Sequence, residues 1–170
     1  LFRSSAASDV YKRQDLEATV DEMRNFALNY IEKYAPSKQQ LKTYLLKKYL
    51  SFKNSSVNKS SISDLITVVL NDLEQSKFIN DKFYSNSKAK NLIQRGSSIN
   101  KIRNYLIQKG ISDKYVRETL ADIKNNNEDQ DFFSAIKICK KKRIGPAREE
   151  SNRSLFYKKD IGILARAGFD

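Results

Sequence analysis

Apolar residues recur along this chain with the period of an α-helix, and that single feature restricts the fold more than any other. Ile62, Leu65, Ile66, Val69, Leu70 and Leu73 follow one another at spacings of three and four. On a helix they form one continuous stripe that must be buried against something else. Phe26, Ala27, Tyr30, Ile31 and Tyr34 make a second stripe, and Leu41, Tyr44, Leu45 and Tyr49 a third. Ile99, Ile102, Tyr105 and Leu106 repeat the pattern, as do Tyr115, Val116, Thr119, Leu120 and Ile123. Phe132, Ala135, Ile136 and Cys139 form a shorter stripe. The chain has only five glycines and two prolines, too few for the many turns of an all-β fold. The expected class is all-α.

Helix boundaries carry their own signals. Ser37 precedes Gln40 by three residues, the spacing of a capping box. Ser98 and Ser112 are further N-cap candidates. Gly110-Ile111 and Gly168-Phe169 read as helix ends, where glycine takes the left-handed turn and the next apolar residue folds back.

These signals recur together. Leu45 to Leu50 resembles Leu106 to Ile111, which in turn resembles Leu164 to Phe169. The first offset also carries Ser37 onto Ser98 and Leu41 onto Ile102. The chain therefore divides into tandem three-helix units at 24–75, 81–125 and 131–170. One such unit has a marginal core, so the units are expected to stack into an elongated, curved array. Tyr49 stands where the later units have Gly110 and Gly168, so the first of these helices is expected to end differently. The third unit reaches Asp170 before its last helix, and Ile161, Leu164 and Phe169 are expected to be partly uncovered.

Residues 1–14 fall outside this scheme. They begin without Met and resemble a translated adapter sequence joined to a gene fragment, so they are set aside as a non-native tail. Without them the net charge drops only from +12 to +10. A basic chain of this kind suits an acidic partner: nucleic acid, an anionic surface or an acidic protein. The plainer alternative is a lysine-rich composition that keeps the chain soluble.

Much chemistry is excluded. The chain has no histidine, which removes Ser-His-Asp and Cys-His catalysis and most zinc sites. A single cysteine, Cys139, permits no disulfide within the chain, and with no signal peptide in view the expected location is the cytoplasm. Cys139 sits on an apolar stripe and reads as a small core residue. No run approaches the roughly 18 apolar residues of a membrane span, so no membrane partner is expected. There is no glycine-rich phosphate loop, and no cofactor is implied. Glu128, Asp129 and Asp131 lie in a polar stretch that reads as a linker and helix start. The expectation is a protein that is not an enzyme.

The basic residues that could meet a partner fall into two groups. Lys137, Lys140, Lys141, Lys142 and Arg143 form the densest run. Lys47, Lys48, Arg103, Lys109, Arg117 and Arg166 lie on or beside the repeated helices. Both groups also suit helix C-termini, where cations complement the dipole, so binding and helix stabilisation remain open alternatives. Tyr30, Tyr44, Phe83, Tyr105, Tyr115, Phe132 and Phe133 are assigned to the core before any role in stacking on bases.

Several segments together resemble the RecX family. They are Leu106 to Ile111, Phe78 to Phe83 before the second unit, Leu164 to Phe169, and Ala27 to Ile31 followed by Ser37 and Leu41. Their order spans about 24 to 170. The resemblance implies tandem three-helix repeats and regulation without catalysis. RecX proteins bind the RecA nucleoprotein filament, lie along its groove, and hinder strand exchange and ATP hydrolysis. The implied partner is that filament, with single- or double-stranded DNA as a further contact, and the complete protein is expected to be a monomer. The alternative is a basic helical DNA-binding module that acts without RecA.

Overall fold

The computed structural model describes residues 19–50 and 59–169. The tail assigned to 1–14 lies outside them. The described residues form eight α-helices, with no strand among them. In chain order they are α1 (Val20–Tyr34), α2 (Lys38–Leu50), α3 (Lys59–Gln75), α4 (Asp81–Gln94), α5 (Ile99–Gln108), α6 (Asp113–Asn126), α7 (Gln130–Lys142) and α8 (Glu150–Arg166). A single 3₁₀ turn, Gly145–Ala147, joins the last two.

The apolar stripes decide how the helices group. α1, α2 and α3 pack on one another around Met23, Leu41, Leu45, Ile62, Ile66 and Leu73, all buried. α4, α5 and α6 enclose a second core of Tyr84, Ile99, Ile102, Leu106, Val116, Leu120 and Ile123. α7 and α8 meet through the 3₁₀ turn, where Ile144 is buried. Tyr30, Tyr44, Tyr105 and Tyr115 flank these cores as expected, each half-buried. The rings of Tyr30 and Tyr44 stack with centroids 4.0 Å apart.

Three aromatics expected in the core are exposed: Phe83 at 73%, Phe132 at 64% and Phe133 at 53%. The reason is rotational. Neighbouring helical residues point about 100° apart, and α4 turns Tyr84 inward, which carries Phe83 out. On α7 the inward residue is Ser134, and the two phenylalanines that precede it cannot share its direction.

The helix ends follow the sequence closely. Ser37 and Gln40 form the reciprocal capping box: Ser37 N donates to Gln40 Oε1 at 3.1 Å, and Gln40 N to Ser37 Oγ at 3.2 Å. Gly110 and Gly168 have φ of 72° and 91°, and Ile111 N and Phe169 N fold back onto Leu106 O and Leu164 O. Ser112 occupies the N-cap of α6 but makes no side-chain cap bond. α2 continues through Tyr49, which is buried, where a glycine stop is absent.

Candidate partner-binding surface

The N-terminus of α2 is a meeting point for three helices. Ser37, already capping α2, donates its hydroxyl to Lys109 O at the end of α5, 2.7 Å away. The next free amide, Lys38 N, donates to Asp81 Oδ1 on α4 at 2.8 Å. A helix N-terminus carries unsatisfied amides and partial positive charge, so a carboxylate there is well placed. Burial pushes the Asp81 carboxyl above its ordinary range, and the Lys38 amide partly offsets this.

The N-terminus of α5 is built the same way. Ser98 Oγ accepts from Lys101 N at 3.1 Å and donates to Gly168 O, just past α8, at 2.7 Å. Ile99 N donates to Asp131 Oδ1 on α7 at 2.7 Å. Lys101 Nζ donates to Arg166 O at 2.7 Å, tightening the contact. Both junctions require a glycine at the incoming helix end. A Cβ on Gly110 would strike the side chain of Gln39, and one on Gly168 would strike Ser98 Oγ and Lys101.

Each junction leaves an open cleft beside it. The first, of about 470 Å³, is lined by Gln39, Gln40, Thr43, Lys47, Gln108 and Lys109, with Tyr30 and Tyr44 at its side. The second, of about 860 Å³, is lined by Asn100, Lys101, Asn104 and Arg166, with Ile161, Leu164, Ala165, Gly168 and Phe169. Gln39, Gln40 and Thr43 correspond to Asn100, Lys101 and Asn104 at the same offset that relates Ser37 to Ser98. Two similar clefts, polar on one wall and basic at the rim, therefore recur along the chain. Ile161 is exposed and Leu164 and Phe169 are half-buried, so the apolar side of the second cleft is partly uncovered as expected.

The basic residues singled out from the sequence divide accordingly. Lys47 and Lys109 line the first cleft and Arg166 the second. Arg103 stands beside the second and donates to Asn100 Oδ1 at 3.2 Å. Lys48 lies half-buried on the other side of α2, its ammonium 3.7 Å from the centre of the Phe26 ring. Arg117 is exposed and paired with Asp113 one turn earlier on α6. Lys137, Lys140, Lys141, Lys142 and Arg143 are all exposed on or just beyond α7, and no carboxylate among the described residues pairs with them. Arg143 takes the left-handed position at the end of α7, with φ of 52°.

One ionic feature had no sequence signal strong enough to find it. Asp160 on α8 is buried and accepts from Arg148 at 2.7 and 3.0 Å and from Gly145 N at 2.9 Å. The guanidinium and the amide hold its carboxyl below the ordinary range. Arg148 also covers the Phe156 ring at 4.4 Å. Cys139 is half-buried, and desolvation raises its thiol pKa, which makes it a poor nucleophile. No described helix is long and apolar enough to cross a membrane.

Comparison with known proteins adds a consistent set of relatives. A protein of Myxococcus xanthus named regulatory protein RecX is 31% identical over 150 residues, covering 86% of this chain and 79% of its own. Two proteins of Clostridium botulinum with the same name, from strains Eklund 17B and Alaska E43, are 31% and 30% identical over 106 residues. Those matches cover 62% of this chain and 48% of the clostridial proteins. No family model matches the chain, and no solved structure does.

Proposed function

Because the chain belongs to the RecX family of regulatory proteins, we propose that it binds the RecA nucleoprotein filament and restrains strand exchange and ATP hydrolysis. The observation that carries this reading is the recurrence of the junction and its cleft. A helical filament repeats whatever surface it offers at regular intervals. A binder with two related clefts can engage two such repeats at once, and linked contacts multiply affinity without any new interaction type. The units responsible are tandem sets of helices at 24–75, 81–125 and 131–170, with the second helix of each of the later two docked onto the second helix of the unit before.

In this reading Lys47, Lys109 and Arg166 at the cleft rims contact the filament. Arg103, beside the second cleft, joins them, and Lys48 and Arg117 extend the basic surface away from the clefts. The protein acts as a cytoplasmic monomer, by occupancy rather than catalysis. A second reading, DNA binding without RecA, is favoured by the exposed and unpaired cations Lys137, Lys140, Lys141, Lys142 and Arg143.

Cosedimentation separates the two. RecA filaments on single-stranded DNA are compared with the DNA alone, alongside RecA-dependent ATP hydrolysis. The proposal expects filament-dependent pelleting, slowed hydrolysis, and weakening of both when Lys109 and Arg166 are changed to Glu. Equal pelleting with naked DNA and unchanged hydrolysis at saturating protein would favour the second reading.

A further inference from the structure

A third cleft lies away from both junctions, between the end of α1, the α3–α4 connection and α4. It encloses about 330 Å³, near the lower end of the roughly 300–1,000 Å³ usual for ligand cavities, which suits one small planar group. Its walls include Phe78, Phe83 and Tyr84 and its rim Lys77 and Lys88, and no carboxylate lines it. Phe78 and Phe83 are 55% and 73% exposed, an unusual state for two phenylalanines on one cleft. Neither ring pairs with another aromatic among the described residues. Asp81 and Lys82 lie next to them in sequence but are engaged elsewhere, with Lys38 N and Glu118.

The backbone points to the same place. Three non-glycine residues among those described have positive φ, and two of them, Ala35 at 41° and Lys77 at 61°, line this cleft. At the ends of α4, α5 and α8 the left-handed position is held by Gly96, Gly110 and Gly168. Lys77 makes the left-handed turn that ends α3, as Ala35 ends α1 and Arg143 ends α7, and this turn sets Lys77 on the rim of the cleft.

We infer that this cleft seats one base of a single-stranded nucleic acid, stacked on Phe78 and Phe83, with Lys77 and Lys88 on the flanking phosphates. The chemistry selects this occupant. Exposed rings offer a stacking face that any base can use, and cations without neighbouring carboxylates suit a phosphate backbone. The site needs no recombinase and stands independently of the filament reading.

The test is a fluorescence anisotropy titration of the whole protein with labelled oligothymidine and with an abasic strand of equal length. Oligothymidine is expected to bind about tenfold tighter than the abasic strand. Phe83→Ala should remove most of that difference while leaving abasic binding unchanged, and its exposure means that the fold is not at risk. Phe78→Ala should act in the same direction. Lys77→Gly should weaken both strands several-fold and lower the salt slope by about one. It should leave the thermal midpoint unchanged or raised, because glycine suits that backbone. Equal affinity for the two strands, or full affinity in both phenylalanine variants, would overturn the proposal. So would Phe83-dependent binding of an acidic, aromatic peptide together with no binding of oligothymidine, which would assign the cleft to a protein partner.

Discussion

Replacing Ser98 with alanine tests whether the junctions hold the array together or merely decorate it. Ser98 is 1% exposed and its hydroxyl serves two helices, accepting from Lys101 N and donating to Gly168 O. Loss of an N-cap costs about 1 kcal/mol. Leaving the Gly168 carbonyl without its hydroxyl donor costs about 1 kcal/mol more. The sum of about 2 kcal/mol corresponds to a fall of about 4–8 °C in thermal midpoint for a chain of this size. Ser112→Ala is the matched control. It removes the same residue type from the same helix position, but Ser112 makes no side-chain cap bond and is exposed, so the expected change is within about 0.5 kcal/mol. Differential scanning calorimetry gives the midpoints. Hydrogen exchange locates the effect, which should appear as lost protection at the C-terminal turn of α8 as well as the first turn of α5. Equal midpoints for the two variants, or an effect confined to α5, would refute the idea that Ser98 couples the two helices.

Other expectations follow from single contacts. Gly110→Ala should cost at least about 1–2 kcal/mol, from its left-handed backbone alone, with the clash against Gln39 added, read as a lower urea midpoint. Asp160→Asn should destabilise the protein at neutral pH. The carboxyl is held low in the folded state, so its contribution is full above the ordinary carboxylate range and is lost as pH falls through the depressed value. The gap between wild type and variant in urea titrations should therefore close on acidification. Asp81 has the opposite sign: burial raises its carboxyl, so its ionisation lowers stability as pH rises from the ordinary carboxylate value through the raised one. Asp81→Asn keeps an acceptor for Lys38 N and should remove that loss. Reversing Lys140, Lys141, Lys142 and Arg143 to Glu should lower stability by about 0.3–1 kcal/mol for each cation lost from the last turn of α7, without unfolding the core, because all four are exposed. It should also weaken binding to filament or DNA and flatten its salt dependence, which a sedimentation titration at several salt concentrations measures.

Much of this fold was legible because helical burial is a local, periodic property. Ile62, Ile66, Val69, Leu70 and Leu73 had to share a face, and they are all buried. The cap at Ser37 and the turns at Gly110 and Gly168 follow from short-range chemistry that a few residues specify. Where two large apolar residues are adjacent, periodicity gives no answer. Phe83-Tyr84 and Phe132-Phe133 offer both members to the core, and only the packing of neighbouring helices decides which way each helix turns. The same ambiguity hides the third cleft, since periodicity places Phe83 inward while the structure leaves it exposed.

The junction carboxylates were hidden for a different reason. Asp81 and Asp131 each cap a helix that begins well upstream, at Lys38 and Ile99. The two helices capped start 61 residues apart, whereas the two aspartates are 50 apart, so no fixed period aligns them. Asp131 sits among Asn127, Glu128 and Asp129, where composition suggests only a polar connection. Its role depends on how α7 lies against α5, and no local rule supplies that. The third α8 position shows the consequence. This helix starts at Glu150 with no side-chain cap bond, and its entry is instead tied by Arg148, Gly145 and Asp160. A serine-capped N-terminus receives the end of another helix at α2 and at α5. At α8 the ionic clamp stands in its place, closing the entry from within the same pair of helices. The serine-capped docking geometry thus occurs at α2 and at α5 and is replaced at α8 by the ionic clamp, and an open cleft lies beside each of the two docked helices.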